Sequence, residues 1–237
     1  MGVNAQTSVP AFTAGQVLTA AQMTEVNTGI PVFATTTTRD AAFGGTGEKT
    51  LAEGQFAYIE ANDATQYYNG STWVTLTSPL SLVIAQTIGT GVSTVTVSGA
   101  FNGTFENYLI TMSNSTWSAQ DQAITFVLGA STASYNSNLL ISRYDTGAVT
   151  NLNRNNAASA YVGVTDVNKA QNFAINVFSP QLSAYTNWSG TNNGYLFSGV
   201  SGGHHAVATS YTAFTIAAAG GATMTGGTIR VFGYSNS

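Results

Sequence analysis

The chain has 237 residues, of which only 7% are charged, and its formal net charge is −4. An ordinary soluble domain carries roughly 25% charged residues, so most of the polar surface of this protein must come from amides and hydroxyls. The six lysines and arginines are scattered singly and form no basic stripe, which argues against a nucleic-acid partner. The absence of cysteine excludes a disulfide framework and a thiolate metal site.

No run of residues approaches the ~18 to 20 apolar positions that a membrane-spanning helix needs, and the first residues lack the charged and apolar regions of a signal peptide. We therefore expect a protein that is made in a cytosol, stays soluble and does not insert into a membrane. Acidic residues are concentrated at the front, because six of the ten precede residue 64. The rest of the chain is balanced in charge.

The first predicted element is a helix over residues 18–27. Thr19 is its predicted N-cap, and Gln22 stands three residues later as the partner in a capping box. A helix this short is marginal alone in water, so the apolar face around Met23 must pack on something else, such as another subunit. A second helical turn is predicted over residues 36–43, before a cluster of glycines ends the pattern.

A small β-meander is predicted over residues 53–76, where aromatic and β-branched side chains flank two polar turns. The second turn contains Asn69-Gly70, the strongest short hairpin signal in a sequence. We interpret this meander as the end of an amino-terminal module. Tyr58 and Trp73 are expected to be buried on one of its faces.

The chain is predicted to divide into an amino-terminal segment, residues 1–78, and a carboxy-terminal domain, residues 79–237. Short apolar or alternating runs recur through the second part, separated by Gly, Asn and Ser, and no crossover helix interrupts them. This pattern predicts an antiparallel, jelly-roll-like β-sandwich and a mainly β fold class. The long polar stretches 145–159 and 186–194 are interpreted as surface loops. The strand at 105–113 does not alternate strictly, so it is expected to be covered on both faces or bulged.

The candidate strands of the carboxy-terminal domain cover residues 80–87, 93–98, 105–113, 122–130, 138–144, 159–165, 172–178, 194–200, 205–210, 213–219 and 228–234.

The sequence offers little material for catalysis. Ser198, Ser201 and Ser210 are interpreted as ordinary strand or turn residues and not as the nucleophile of a serine hydrolase. Glu106 with Asp121, or Asp145 with Asp166, are carboxylate pairs that could flank a glycosidic bond, although solvated or ion-paired carboxylates account for the same residues. We predict that the protein is not an enzyme.

The two histidines, His204 and His205, are adjacent in the sequence. Adjacent residues of a strand point to opposite faces, so one chain cannot readily hold a metal ion with both. Three copies of one histidine on the axis of a trimer are the alternative. We predict surface or core histidines, no metal site and no cofactor.

A candidate glycan or host contact lies in the second polar stretch. Trp188 is surrounded by polar or small residues, an arrangement in which a ring can lie against a sugar while amides bind its hydroxyls. Tyr185, Asn187, Asn192 and Asn193 complete this candidate site. The alternative is that Trp188 belongs to the core, as most aromatic residues of strands do.

Two consecutive blocks of the sequence resemble segments near the start of tailed-bacteriophage virion proteins. The first block has an aromatic residue, a glycine, Val-Leu-Thr-Ala and a short helix, and the second pairs an Arg-Asp with a Tyr-Asn-Gly-x-x-Trp strand. The matching residues are Phe12, Gly15, Leu18, Thr19, Met23, Asn27, Arg39, Asp40, Gly54, Tyr58, Tyr68, Asn69, Gly70 and Trp73.

The remainder is similar to the β-sandwich of phage fibres and of head or tail decorations, with Phe105-x-x-Tyr108-x-Ile110 early, Tyr135 midway and a GGTIRVFGY motif near the end. The resemblance implies a non-enzymatic virion component that forms a homotrimer or another symmetric homo-oligomer. It also implies that the amino-terminal segment binds other virion proteins, with Phe12, Leu18 and Met23 as candidate attachment residues.

The leading hypothesis is therefore a tail fibre or related appendage that attaches to the virion through its amino terminus and contacts the host surface, including glycan, through its sandwich. The alternative is a head-decoration, collar or head-fibre protein that stabilises the particle without recognising a host. A glycan-degrading depolymerase is the third hypothesis. The expected location is the virion, after assembly in the host cytoplasm.

Overall fold

The computed structural model describes residues 5–26 and 29–236, and the chain forms two compact units that divide between Thr77 and Ser78. The predicted division lay one residue later. The described residues contain seventeen strands, two short α-helices and one 3-10 turn, so the prediction of a mainly β fold is confirmed. Within the described ranges, no helix is long and apolar enough to cross a bilayer.

The first unit contains a four-stranded sheet in the order β1-β2-β3-β4, in which β1 is parallel to β2 and the other pairs are antiparallel. The predicted meander corresponds to the last three of these strands. The elements of the unit are α1 (Ala20–Val26), β1 (Val32–Phe33), α2 (Thr36–Asp40), β2 (Phe56–Ile59), a 3-10 turn (Glu60–Asn62), β3 (Ala64–Tyr68) and β4 (Trp73–Thr75).

Both helices begin with a threonine that caps the helix. The Thr19 amide donates to Gln22 Oε1 (3.0 Å) and the Gln22 amide donates to Thr19 Oγ1 (3.2 Å), as the capping-box pattern predicted. Thr35 and Thr38 form the equivalent pair at the start of α2, which is shorter than predicted. The predicted end of the first helix at Asn27 lies outside the described residues.

The core of the first unit lies on one face of its sheet. Trp73 packs against this core, half-buried, and the guanidinium of the buried Arg39 lies 4.6 Å from the centre of its ring. Tyr58 points to the other face, because it alternates with two buried residues of β2, and its hydroxyl donates to Asp63. The prediction that Tyr58 and Trp73 share a buried face is therefore wrong. The buried apolar residues are Phe33, Ala42, Ala57 and Ile59.

The second unit contains a large, antiparallel sheet in the order β10-β9-β14-β13-β12-β7-β17-β5, with a short ninth strand, β16, paired to β7. Its strands are β5 (Leu80–Thr87), β7 (Asn107–Trp117), β9 (Tyr135–Arg143), β10 (Val149–Ala157), β12 (Gln171–Phe178), β13 (Thr186–Asn193), β14 (Phe197–His205), β16 (Met224–Thr225) and β17 (Thr228–Tyr234).

A smaller, four-stranded sheet in the order β11-β8-β15-β6 faces the large one; its strands are β6 (Thr94–Ser98), β8 (Ala123–Leu128), β11 (Ala160–Val164) and β15 (Ala213–Ala218). One buried cluster joins the two sheets. Ile110, Ile175 and Trp188 enter it from the large sheet, and Phe126 and Phe214 enter it from the small one. The alternating inward residues of both sheets thus form the core of a β-sandwich.

The two polar stretches interpreted as loops are strands, β10 and β13, and that interpretation is wrong. β13 pairs along its whole length with both β12 and β14, so its backbone groups are satisfied by the sheet. Neither strand shows apolar alternation, because several of its inward positions are polar or small, such as Thr186 and Asn192 of β13 and Thr150 of β10. The prediction of a strand over residues 205–210 is also wrong, because the chain leaves the sheet after His205.

Strand β7 carries the irregularity expected for residues 105–113, slightly later in the chain. Tyr108, Ile110 and Met112 alternate regularly and face the core. Asn114 then adopts a left-handed conformation (φ 58°), where the register with β12 shifts, and Trp117 faces the core beyond it. A bulge at this position keeps both halves of an eleven-residue strand packed on the same core.

Candidate functional site

The predicted glycan site is divided by the alternation of β13. Trp188 is 3% exposed and packs in the core, 6.0 Å from the Phe126 ring and 6.4 Å from the Tyr135 ring. Asn192 is fully buried, and its Oδ1 accepts from the Val164 amide (3.2 Å). Both residues point away from solvent, so their assignment to an exposed contact is wrong.

The other three candidates are exposed. Asn187 and Asn193 lie on the outer side of β13, and Tyr185, 56% exposed, precedes the strand. The two asparagines are six residues apart, which corresponds to about 20 Å along a strand. They therefore cannot bind the same sugar ring, but they belong to the same extended surface.

This surface, which we call the amide face, consists of the outward-facing residues of the eight strands from β10 to β5. The pairing register aligns these residues in rows that cross the sheet. One row runs through Asn153, Asn138, Gly202, Ser189 and Asn176. The asparagines of the face are Asn107, Asn136, Asn138, Asn151, Asn153, Asn172, Asn176, Asn187 and Asn193.

The amide face carries almost no charge. Among its described residues, Arg230 and His204 are the only ones that can become positive, and none is acidic. Arg230 donates to Ser113 Oγ (3.2 Å), and the Tyr234 hydroxyl donates to Asn176 Oδ1 (2.5 Å). Amides and hydroxyls both donate and accept hydrogen bonds, so the face can bind uncharged polar groups that are donors as well as those that are acceptors.

Apolar side chains interrupt the face at its β10-β9-β14 end. Leu140 and Val200 are directly paired and are 46% and 54% exposed, and Val149 is 65% exposed beside them. Together with Thr191 and Asn193 they line a shallow depression. The face thus offers a small apolar surface bordered by hydroxyl and amide groups.

The histidines occupy opposite sides of the large sheet, as strand alternation predicted. His204 faces outward, with Nε2 3.2 Å from Asn136 Nδ2, whereas His205 is fully buried. His205 Nε2 donates to the Ala133 carbonyl (3.1 Å), so its Nδ1 accepts from the Tyr211 hydroxyl (3.2 Å). Burial lowers the pKa of His205, which therefore stays neutral at pH 7.

The structure brings together one carboxylate from each of the two pairs considered above. Arg143 brings together Asp145 (2.7 Å) and Asp121 (3.3 Å), and its hydrogen bond lowers the pKa of the Asp145 carboxyl. Asp166 is buried and accepts from the Leu196 amide (2.6 Å). In the described part of the chain, no group of three or more His, Asp or Glu residues is placed to hold a metal ion.

In the first unit, the three candidate attachment residues lie at the surface. Phe12, Leu18 and Met23 are 42%, 37% and 54% exposed, and Val17 between them is 89% exposed. All four side chains are therefore accessible for contact with another protein.

Comparison of the chain with protein-family models, with curated proteins and with solved structures found no match.

Proposed function

We propose that this chain is a structural protein of a tailed-bacteriophage particle: a tail fibre or related appendage that attaches through its amino-terminal segment and contacts the host surface through its sandwich. The observation that carries the proposal is the amide face. A broad, nearly uncharged surface of asparagine, serine and threonine suits the hydroxyl groups of host glycans, because each side chain can donate to or accept from a sugar oxygen.

The exposed apolar residues of the first unit support the attachment role. Burying Phe12, Leu18 and Met23 against another virion protein would remove apolar area from water at about 25 cal/mol per Å². The same residues also suit contacts between copies of the chain, and we propose a homotrimer or another symmetric homo-oligomer. In this role the protein is not an enzyme and needs no cofactor.

The test compares particles assembled with the full chain, with a variant lacking residues 1–78, and with a triple variant, Phe12→Ser, Leu18→Ser and Met23→Ser. We expect both variants to be missing from purified particles in immunoblots. Leu182→Ser is the matched control, because Leu182 is also exposed (47%) but lies in the second unit, outside the amide face. Incorporation of the deletion variant at the normal level would contradict the attachment role.

Host contact is tested by adding the purified full chain to host cells before infection. We expect it to occupy receptors and slow adsorption of particles. Normal adsorption at saturating protein would contradict the host-contact role.

A head-decoration, collar or head-fibre protein is the second candidate, and a specific feature favours it. Leu109, Phe232 and Leu82 form a continuous apolar row at the β5 end of the amide face, which suits packing against another protein. Immunogold labelling of particles distinguishes the two functions, because label on the head supports decoration and label on the tail supports a fibre.

A further inference from the structure

A cleft opens on the inner side of the large sheet, at its β10 end. The small sheet has only four strands, and its edge strand β11 packs on β9, β10 and β14 of the large sheet. The cleft has a volume of about 230 Å³. It is lined by Asp121, Ile141, Arg143, Ala148, Thr150, Leu152, Val164 and Phe197.

The floor of the cleft is apolar and rigid. Ile141, Val164 and Phe197 are 8%, 2% and 3% exposed and belong to a hydrophobic cluster separate from the main core, with Leu152 packed against them. Because these side chains are held by sheet pairing and by one another, the floor is formed before any ligand arrives. This preorganisation lowers the entropic cost of binding.

The rim is polar and carries both a donor and acceptors. Arg143 lies over the Phe197 ring (5.2 Å to the centroid), its Nε donates to Asp145, and its Nη1 donates to both oxygens of Asp121 at 3.3 Å. The Asp121 side chain is still 56% exposed, so its carboxylate can accept further hydrogen bonds. A fixed guanidinium and an adjacent open carboxylate present a donor and an acceptor side by side.

We propose that this cleft binds one neutral pyranose ring of a host-surface glycan, an inference that rests on the proposed function. Two vicinal hydroxyls of a sugar match the adjacent donor and acceptor, and the C–H groups of the ring match the floor. The volume lies below the ~300–1,000 Å³ of sites for drug-sized ligands, so the cleft accommodates one ring and not an oligosaccharide.

The charge of the rim selects against anionic sugars. Asp121 and Asp145 carry two negative charges against the one positive charge of Arg143. A carboxylate or phosphate on the ligand would therefore meet a rim whose net charge is negative. The cleft should prefer hexoses and N-acetylhexosamines to uronic acids.

The test titrates the full-length protein with glucose, galactose, mannose and N-acetylglucosamine, and with glucuronic acid and inorganic phosphate as anionic probes. Ligand-observed NMR detects the millimolar affinities expected of one ring. We expect at least one neutral sugar to bind and both anions to bind at least tenfold more weakly. No binding of any neutral sugar at concentrations on the order of 10 mM, or stronger binding of either anion, would overturn the proposal.

Two variants locate the binding site. Thr150→Trp places a large ring at the exposed mouth of the cleft without changing its buried floor, and should weaken sugar binding at least tenfold. Asp121→Asn should weaken binding of the neutral sugar, because an acceptor of the rim changes. It should also reduce the discrimination against glucuronic acid, because the rim becomes neutral. Thr94→Ala, an exposed position on β6 at the edge of the small sheet opposite β11, is the matched control and should bind normally. Equal binding by all three variants would place the sugar elsewhere and overturn the proposal.

Failure of this proposal is distinguishable from failure of the proposed function. A chain that is present in particles but binds no neutral sugar overturns the cleft assignment alone. A chain that binds sugar in the cleft but is absent from particles overturns the virion role and leaves the cleft assignment in place.

Discussion

The two sides of the large sheet are made by the same strands but differ completely in chemistry. On β13, Trp188 enters a core of aromatic and aliphatic residues, while its neighbour Asn187 lies on the amide face. The adjacent His204 and His205 repeat the contrast, one half-buried on the outer side and one fully buried. The inner side therefore determines the stability of the sandwich, which leaves the outer side available for binding.

The largest expected effect is that of removing the Trp188 ring. Trp188→Ala should lower the free energy of unfolding of the second unit by about 3–5 kcal/mol, because it leaves a cavity between the sheets. Thr191→Ala, on the outer side of the same strand, should change it by less than about 0.5 kcal/mol. Urea unfolding monitored by far-ultraviolet circular dichroism, a signal that comes mainly from the backbone, measures both free energies of unfolding. Equal losses in the two variants would contradict the difference between the two sides of the sheet.

A smaller loss is expected from adding one methyl group on the inner side. A Cβ at Gly203 would overlap the Asn136 carbonyl oxygen and the Trp188 ring. Gly203→Ala should therefore cost about 1–3 kcal/mol through overpacking. Gly202→Ala, where a Cβ makes only an ordinary contact, is the control on the outer side. Thermal unfolding of the two variants side by side checks this, and a greater loss from Gly202→Ala would contradict it.

The third prediction concerns pH. Burial lowers the pKa of His205 in the folded state, so between about pH 6.5 and that lower value the unfolded chain binds more protons. Stability should therefore fall as the pH falls below about 6.5. Urea titrations between about pH 7 and pH 5.5 should show a flatter dependence for His205→Gln than for the natural protein.

His204→Gln is the matched control for the pH experiment, since His204 faces solvent on the other side of the same strand. It should retain most of the pH dependence of the natural protein, because burial is the largest cause of the lowered pKa of His205 and the neighbouring His204 is a smaller one. If the pH dependence of stability is lost in His204→Gln and kept in His205→Gln, the assignment of the effect to His205 is wrong.

The smallest effect on stability is expected for the double variant Asn187→Ala and Asn193→Ala. Both residues are exposed, so the free energy of unfolding should change by less than about 0.5 kcal/mol per site. If the amide face contacts the host, the purified variant should nevertheless compete less well with particles for host cells. Competition equal to that of the natural protein would remove these two asparagines from the contact.

The elements that sequence reasoning could predict are those whose local pattern agrees with their environment. The capping box of α1 is set by neighbouring side chains, and residues 80–87 and 228–234 form β5 and β17 with the predicted bounds. In contrast, β10 and β13 were predicted as loops. Their strand conformation comes from pairing with neighbours that are distant in sequence, and neither segment has the apolar alternation from which a strand could be predicted.

The candidate site was predictable only in part for the same reason. Once residues 186–194 are interpreted as a loop, Trp188 and its polar neighbours appear to share one surface. In a strand, the period of two separates Trp188 and Asn192 from Asn187 and Asn193. The cleft at Arg143 could not be predicted from the sequence, because Asp121 and Phe197 come together only through the packing of one sheet on the other.

The scarcity of charge on the amide face has a consequence for the conditions under which it can work. Contacts between ions weaken as salt is added, because mobile ions shorten the range of their attraction to about 10 Å at 0.1 M. Hydrogen bonds between amides and hydroxyls carry no such dependence. A surface that binds through asparagines would therefore hold its partner almost equally well in fresh water, in a host growth medium and in brine.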